Sequence, residues 1–267
     1  MYAYNVTGGG HMFFEYKGVK VNYSVFGEGK PLLLLHGWMA CIEAMAPIYR
    51  FFEKDRKVIV IDFPGQGGKS DALNDIWGVP EYAEMVHKFM QELNIEGADV
   101  MGHSFGGRVT IYLASKYKNL FDKIVLVDSA GIKPKMTLGK ACKIYSYKFM
   151  KNMMKLFLTK EKFEEKIKVL REKRGSSDYA KLESNIMRET FKRVINLDLT
   201  SNLKEISRPT LLMWGANDID TPLYMAQIME KKIPDCGLVV LEGAGHFSYL
   251  DSTNQFLNVT QNFLGGN

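Results

Sequence analysis

Seven apolar, β-branched runs punctuate the chain: VNYSVF from Val21, PLLLLHG from Pro31, KVIVIDF from Lys57, ADVMGHS from Ala98, KIVLVDS from Lys123, PTLLMWG from Pro209 and GLVVLEG from Gly237. Their apolar character is continuous rather than alternating, as expected of strands covered on both faces in a parallel sheet. Helix-like segments lie between them, so the pattern predicts an α/β fold. The rhythm fails once, between VDSAG, ending at Gly131, and RPTLLMWG, starting at Arg208. There Tyr145, Phe149, Met153 and Phe157 recur four residues apart, the spacing of one helix face. Residues 131–200 therefore read as a helical cap inserted into a core formed by residues 12–130 and 201–267.

The composition fits this outline. A chain of 267 residues, 46% hydrophobic and 24% charged, has the size and make-up of one large globular domain with an insert. Charge is unevenly shared: residues 131–200 hold 18 Lys and Arg against 8 Asp and Glu, leaving 17 against 22 elsewhere. The basic interval reads either as solvated lysine-rich helix faces or as a field that draws an anionic substrate or an acidic partner surface. No nucleic-acid motif accompanies it and the body is acidic, so nucleic acid is not an expected partner. Cys41, Cys142 and Cys236 lie far apart with no CxxC pair, which suggests neither a zinc site nor a disulfide framework and fits a reducing cytoplasm. No apolar run approaches the ~20 residues of a membrane span. The opening MYAYNVTGGGHM lacks a basic stretch followed by an apolar one, and its glycine junction reads as an added leader, residues 1–11, before a start near Met12.

The stretch DFPGQGGKS, Asp62 to Ser70, ends in the Gly-Lys-Ser of a phosphate loop. Phe63 occupies the position where that loop needs its first glycine, and Pro64 lacks an N–H a phosphate would use. A structural turn after a buried strand is the better reading.

Candidate chemistry concentrates in VMGHSFGGRV. An apolar strand, then Gly102-His103-Ser104-Phe105-Gly106, then the helical run GRVTIYLASKY is a G-x-S-x-G pattern in the context that gives it meaning. Serine on a very tight strand-to-helix turn adopts strained angles, and small residues on either side let the chain pass. Such a serine needs a base. Among five histidines, His11 belongs to the leader, His87 sits mid-helix, His36 ends a strand, and the His103 side chain is expected to turn away from Ser104 into packing. His246, on the glycine turn of LEGAGHFSYL after the last run, is the candidate base. A carboxylate must hold its other nitrogen. Asp218 and Asp220 of WGANDIDTP qualify, with Asp218 preferred, and Asp128 at a neighbouring strand end is a third option. Backbone N–H groups of Phe105 and Trp38 are the expected donors to an oxyanion. The Trp38 ring either walls an acyl pocket or packs in the core.

These segments, HGW at His36, DFPGQGGKS at Asp62, GHSFGG at Gly102, WGAND at Trp214 and GAGHF at Gly243, resemble the α/β-hydrolase superfamily, specifically its capped serine hydrolases, from Met12 onward. The resemblance implies an eight-stranded, mostly parallel sheet flanked by helices, a helical cap after the sixth strand, a Ser104, Asp218 and His246 triad, and no cofactor or metal. Serine at the nucleophile position disfavours the epoxide-hydrolase and dehalogenase branches. The expected activity is hydrolysis of carboxylic esters of small, largely apolar acyl groups, with Phe149, Met153 and Phe157 of the cap and Trp38 lining the pocket. Two alternatives use the same fold: carbon–carbon bond cleavage, or lyase chemistry, on keto acids, and a ligand-sensing module with little turnover.

Overall fold

The computed structural model of the protein describes residues 11–134, 162, 166, 182 and 184–265. Eight strands form one sheet: β1 (Met12–Tyr16), β2 (Val19–Phe26), β3 (Lys30–Leu35), β4 (Arg56–Ile61), β5 (Ala98–His103), β6 (Phe121–Val127), β7 (Thr210–Gly215) and β8 (Cys236–Leu241), ordered β1-β2-β4-β3-β5-β6-β7-β8. Only the β1–β2 and β2–β4 pairs are antiparallel. This is the eight-stranded, mostly parallel sheet that the resemblance implied.

The continuous apolar runs have their physical reason here. Side chains alternate across a strand, so burial on both faces requires apolar residues at every position. Leu33, Leu35, Ile59, Ile61, Val100, Ile124 and Leu126 share one core with α2 (Val79–Glu92) and α3 (Phe105–Lys116). Leu32, Leu34, Val58, Val60, Met101, Val125 and Val127 share the other core, with α1 (Ala46–Phe52) beneath them. Each of the four leucines of β3 is fully out of water, a transfer term of about 1.5–3 kcal/mol apiece.

The two edges depart from the sequence pattern. β1 was not among the seven runs, because MFFEY pairs with β2 alone and only alternate residues are buried. β8 is apolar throughout yet only partly buried, since it pairs with β7 alone.

Within the interval 131–200, α4 (Asn185–Asn196) buries Met187, Thr190, Phe191 and Val194 against the body. Phe149, Met153 and Phe157, and most of the expected cap, lie outside the described residues. The chain continues through α5 (Tyr224–Lys232), the single turn α6 (Ser248–Asp251) and α7 (Thr253–Gly265). Among the described residues no helix is long and apolar enough to cross a membrane. The parallel strands β3, β5, β6, β7 and β8 all end at one rim of the sheet, where ligands bind in open α/β folds.

Candidate active site

Ser104 links β5 to α3 with φ 49° and ψ −108°, a left-handed conformation that a non-glycine residue keeps only when its surroundings impose it. The surroundings are close-packed glycines. A Cβ on Gly102 would come within 2.6 Å of Thr110 Oγ1, and one on Gly106 would collide with the Leu35 carbonyl. The elbow is pinned by the Ser104 N–H donating to Val127 O at 3.0 Å and the Gly106 N–H donating to His36 O at 3.0 Å.

His246 reaches Ser104 from the loop after β8. Its Nε2 lies 3.0 Å from Ser104 Oγ, and its Nδ1 lies 2.9 Å from Asp218 Oδ2. Asp218 is buried and accepts the backbone N–H groups of Asp220 (2.8 Å) and Thr221 (2.9 Å) and the Thr221 hydroxyl (2.6 Å). Burial alone would raise the Asp218 pKa, but these bonds and the one from His246 outweigh it and hold the carboxyl below its usual range. Burial would likewise lower the His246 pKa; the hydrogen bond and charge of Asp218 outweigh it, so the imidazole sits above its usual value. An ionised Asp218 accepts a hydrogen bond from Nδ1–H, which fixes that tautomer and leaves Nε2 as an acceptor facing the serine hydroxyl.

The other two carboxylates have different engagements. Asp128 is fully buried, and its oxygens accept the backbone N–H groups of Gly215 (2.8 Å) and Ser248 (3.0 Å). It ties the β7 end to the His246 loop without a bond to the imidazole, and burial pushes its pKa up to about 7. The Asp220 side chain is exposed. Ligand atoms of Asp218, Asp220 and His246 lie within 4.8 Å of one another. Since Asp218 already accepts four donors, a cation there would have to break that set.

The loop after β3 closes the other side. A Cβ on Gly37 would stand 3.4 Å from Ser104 Cβ and 2.8 Å from His103 Nδ1, so the chain at Gly37-Trp38 passes directly over the serine. Among the described residues, the Trp38 and Phe105 amides donate to no acceptor. The Trp38 ring meets the Phe105 ring edge-on at 5.3 Å and tilts against Phe191 of α4 at 5.2 Å.

The Asp62–Ser70 turn is what supports this loop. Asp62, buried, accepts the Ile42 N–H at 2.7 Å and the Lys69 N–H at 2.9 Å; Gln66 Oε1 accepts the Met39 N–H at 3.1 Å; and the Phe63 N–H donates to His36 Nε2 at 3.0 Å. Met39 is held at φ 54°, a strained conformation fixed by the Gln66 bond. Donors and acceptors of the turn thus face the protein's own backbone.

Two further residues have roles that no sequence signal announced. His103 is buried as expected, but its Nε2 also donates to the His246 carbonyl at 2.8 Å. Burial, then the neighbouring His246, lower its pKa to about 3, so it stays a neutral tether for the His246 backbone. Arg108, one helical turn beyond Ser104, looks in the sequence like a surface residue of α3 but is only 5% exposed. The bonding partners of both are remote in sequence, and no local pattern announces them. A cavity of about 510 Å³ opens at the serine, lined by Trp38, Ser104, Arg108, Phe191, His246 and Phe247 among others.

Comparison with known proteins agrees with this architecture. The model of the alpha/beta hydrolase fold family matches residues 30–253. The chain is 24% identical to a 2-hydroxy-6-oxo-6-phenylhexa-2,4-dienoate hydrolase of Comamonas testosteroni, covering 91% of each chain. It is 26% identical to a pimeloyl-(acyl-carrier protein) methyl ester esterase of Aeromonas hydrophila, over 92% of this chain and all of that one. The crystal structure of a membrane phospholipase A, at 20% identity, superposes with a TM-score of 0.75 over 97% of this chain and 86% of the other. With the family's model matching most of its length, this chain belongs to the alpha/beta hydrolase fold family.

Proposed function

We propose that the protein is a serine hydrolase that cleaves carboxylic esters of small, largely apolar acyl groups through an acyl-enzyme. One observation carries the reading: a single imidazole bridges the Ser104 hydroxyl at 3.0 Å and a buried carboxylate at 2.9 Å. Nε2 of His246 takes the serine proton as Oγ attacks the carbonyl carbon, and Asp218 stabilises the imidazolium that forms. The negative oxygen meets the free amides of Trp38 and Phe105, the latter at the start of α3, where the helix end favours negative charge. The imidazolium then protonates the leaving alcohol, and water, deprotonated by the same nitrogen, releases the acid. No step of this cycle calls for a cofactor. The esterase of Aeromonas hydrophila, a relative over 92% of this chain, supports the ester assignment.

A second reading, hydrolysis of a carbon–carbon bond in a keto acid by the same three side chains, has the Comamonas testosteroni relative behind it. A ligand-sensing role would leave the geometry unchanged but not sustain turnover. Free thiols at Cys41 and Cys236 accord with a reducing, cytoplasmic setting.

The test is hydrolysis of p-nitrophenyl butyrate beside a vinylogous keto acid. Sustained release of p-nitrophenolate, lost by a factor on the order of 10⁶ in Ser104→Ala, is the expected result. Full activity in Ser104→Ala would overturn the assignment; turnover confined to the keto acid would select the second reading.

A further inference from the structure

Arg108 is a buried cation for which the reaction above has no use. It stands four residues after Ser104 on α3, about 6 Å further along the helix and on the same face. Its side chain lines the cavity into which Ser104 and His246 open. Both of its hydrogen bonds leave from Nη1, to the carbonyls of Val194 (3.0 Å) and Leu197 (2.5 Å) at the end of α4. Among the described residues, Nε and Nη2 donate to nothing and no carboxylate pairs with the guanidinium. Asp198 contributes a favourable charge from nearby, but it makes no ion pair with the guanidinium, and its Oδ1 accepts the amide and hydroxyl of Thr200 at 3.0 and 2.6 Å.

Burying a guanidinium costs several kcal/mol unless an anion or a full set of acceptors compensates it. Two carbonyls satisfy two of its five donors. Burial lowers its pKa only to about 10, so the charge persists at neutral pH. A tether between α3 and α4 would need only neutral donors; a retained positive charge, with donors to spare beside the nucleophile, is what recognises an anion. Asp220, which also lines the cavity, would repel an anion beside it, so Arg108 is the lining residue that favours one.

We propose that Arg108 forms a carboxylate subsite of the catalytic cavity, so that the preferred substrates carry a free acid a few carbons from the scissile carbonyl. This rests on the serine-hydrolase reading and narrows its acyl group from plainly apolar to apolar with an acidic end. The guanidinium would use Nε and Nη2, a planar pair of donors suited to the two oxygens of a carboxylate.

The experiment compares mono-p-nitrophenyl glutarate with its methyl-capped diester, which has the same chain but no charge. For the unmodified chain, kcat/KM is expected to favour the anion by about tenfold to a hundredfold, mainly through KM. In Arg108→Met the ratio is expected to fall to about one, with Arg108→Lys intermediate because it keeps charge but not the planar pair. The ratio is the readout because loss of the α4 tether would lower both rates together. An equal fall on both substrates, or no preference in the unmodified chain, would overturn the proposal. A binding arm separates it from the catalytic reading: in Ser104→Ala, monomethyl glutarate is expected to raise the melting temperature and dimethyl glutarate is not, and Arg108→Met should abolish the difference. Should no ester be turned over, the catalytic reading falls while this arm still decides the subsite; no differential shift there would overturn it.

Discussion

The two ends of the sheet each carry a buried carboxylate held by a nitrogen base, and only one of them is open. At the N-terminal end of β5, Asp99 accepts Arg56 Nη1 at 2.6 Å, Lys30 Nζ at 3.0 Å and the Lys123 N–H at 3.1 Å. Arg56 spends its other end on the Leu264 carbonyl at 2.7 Å, and Lys30 also reaches Asp122 at 3.1 Å. At the C-terminal end, Asp218 holds His246, whose second nitrogen faces a serine hydroxyl and a cavity. A guanidinium has no acceptor and stays protonated, so the first cluster can only cross-link strands and α7. An imidazole can be donor on one side and acceptor on the other, so the second can move a proton. The difference between a structural ion cluster and a reactive one lies in the partner base and in what its far side meets.

The sharpest way to break this comparison is Asp218→Asn. The amide keeps the size of the carboxylate but presents a donor where His246 Nδ1–H needs an acceptor, so the wrong tautomer is favoured. Turnover on p-nitrophenyl butyrate is expected to fall by a factor on the order of 10⁴, with folding little changed. The pH profile gives the sign independently. His246 must be neutral to act as base, and its pKa is raised in the intact protein, so activity should climb with pH through a midpoint above the usual histidine value. Removing the charge takes away the two largest upward contributions and leaves burial opposed only by the weaker pull of Asp128 and Asp220, so the residual activity should show its acid limb at lower pH. An acid limb that stays in place would mean that Asp218 does not set the charge state of the base.

Asp99→Leu tests the other end. It strands Arg56, whose side chain is 10% exposed, beside only the Leu264 carbonyl. Breaking one partner of a buried pair costs about 3–5 kcal/mol, read as a lowered urea midpoint. Turnover of p-nitrophenyl butyrate per folded molecule should remain, because no residue of this cluster lines the cavity. Loss of activity without loss of stability would reverse the roles assigned to the two ends.

How much of this was legible beforehand follows from the range of each interaction. The central strands announced themselves because burial on two faces requires unbroken apolar runs, whereas β1, buried on alternate residues, left too faint a pattern. Ser104 and His246 stand in short glycine-bounded segments whose local geometry demands small neighbours. The choice among Asp218, Asp220 and Asp128 was open because all three sit at strand ends and only the fold decides which one meets the imidazole. The Asp99 cluster joins residues 43 and 69 positions apart, and Arg108 reaches 86 and 89 positions to its carbonyls. Such pairings carry no local signal.

The smallest effect expected belongs to the turn between these extremes, and Gln66→Met isolates it. Gln66 is fully buried, with Oε1 on the Met39 N–H and Nε2 without a partner. Methionine preserves the volume, removes the orphaned donor and deletes the acceptor. Loss of the bond should therefore cost little stability, since one unpaired group is exchanged for another. What it releases is Met39, whose left-handed backbone follows directly on Trp38. The Trp38 amide, proposed as an oxyanion donor, lies in the peptide before Trp38, and its aim depends on how Met39 holds the next turn of chain. Removing a donor outright costs about 10²–10³ in kcat, so a loosened one should cost about tenfold, with KM nearly constant because the ground-state ester does not yet carry the charge. An unchanged kcat would assign the turn to folding alone and leave the second oxyanion donor to be sought elsewhere on the rim.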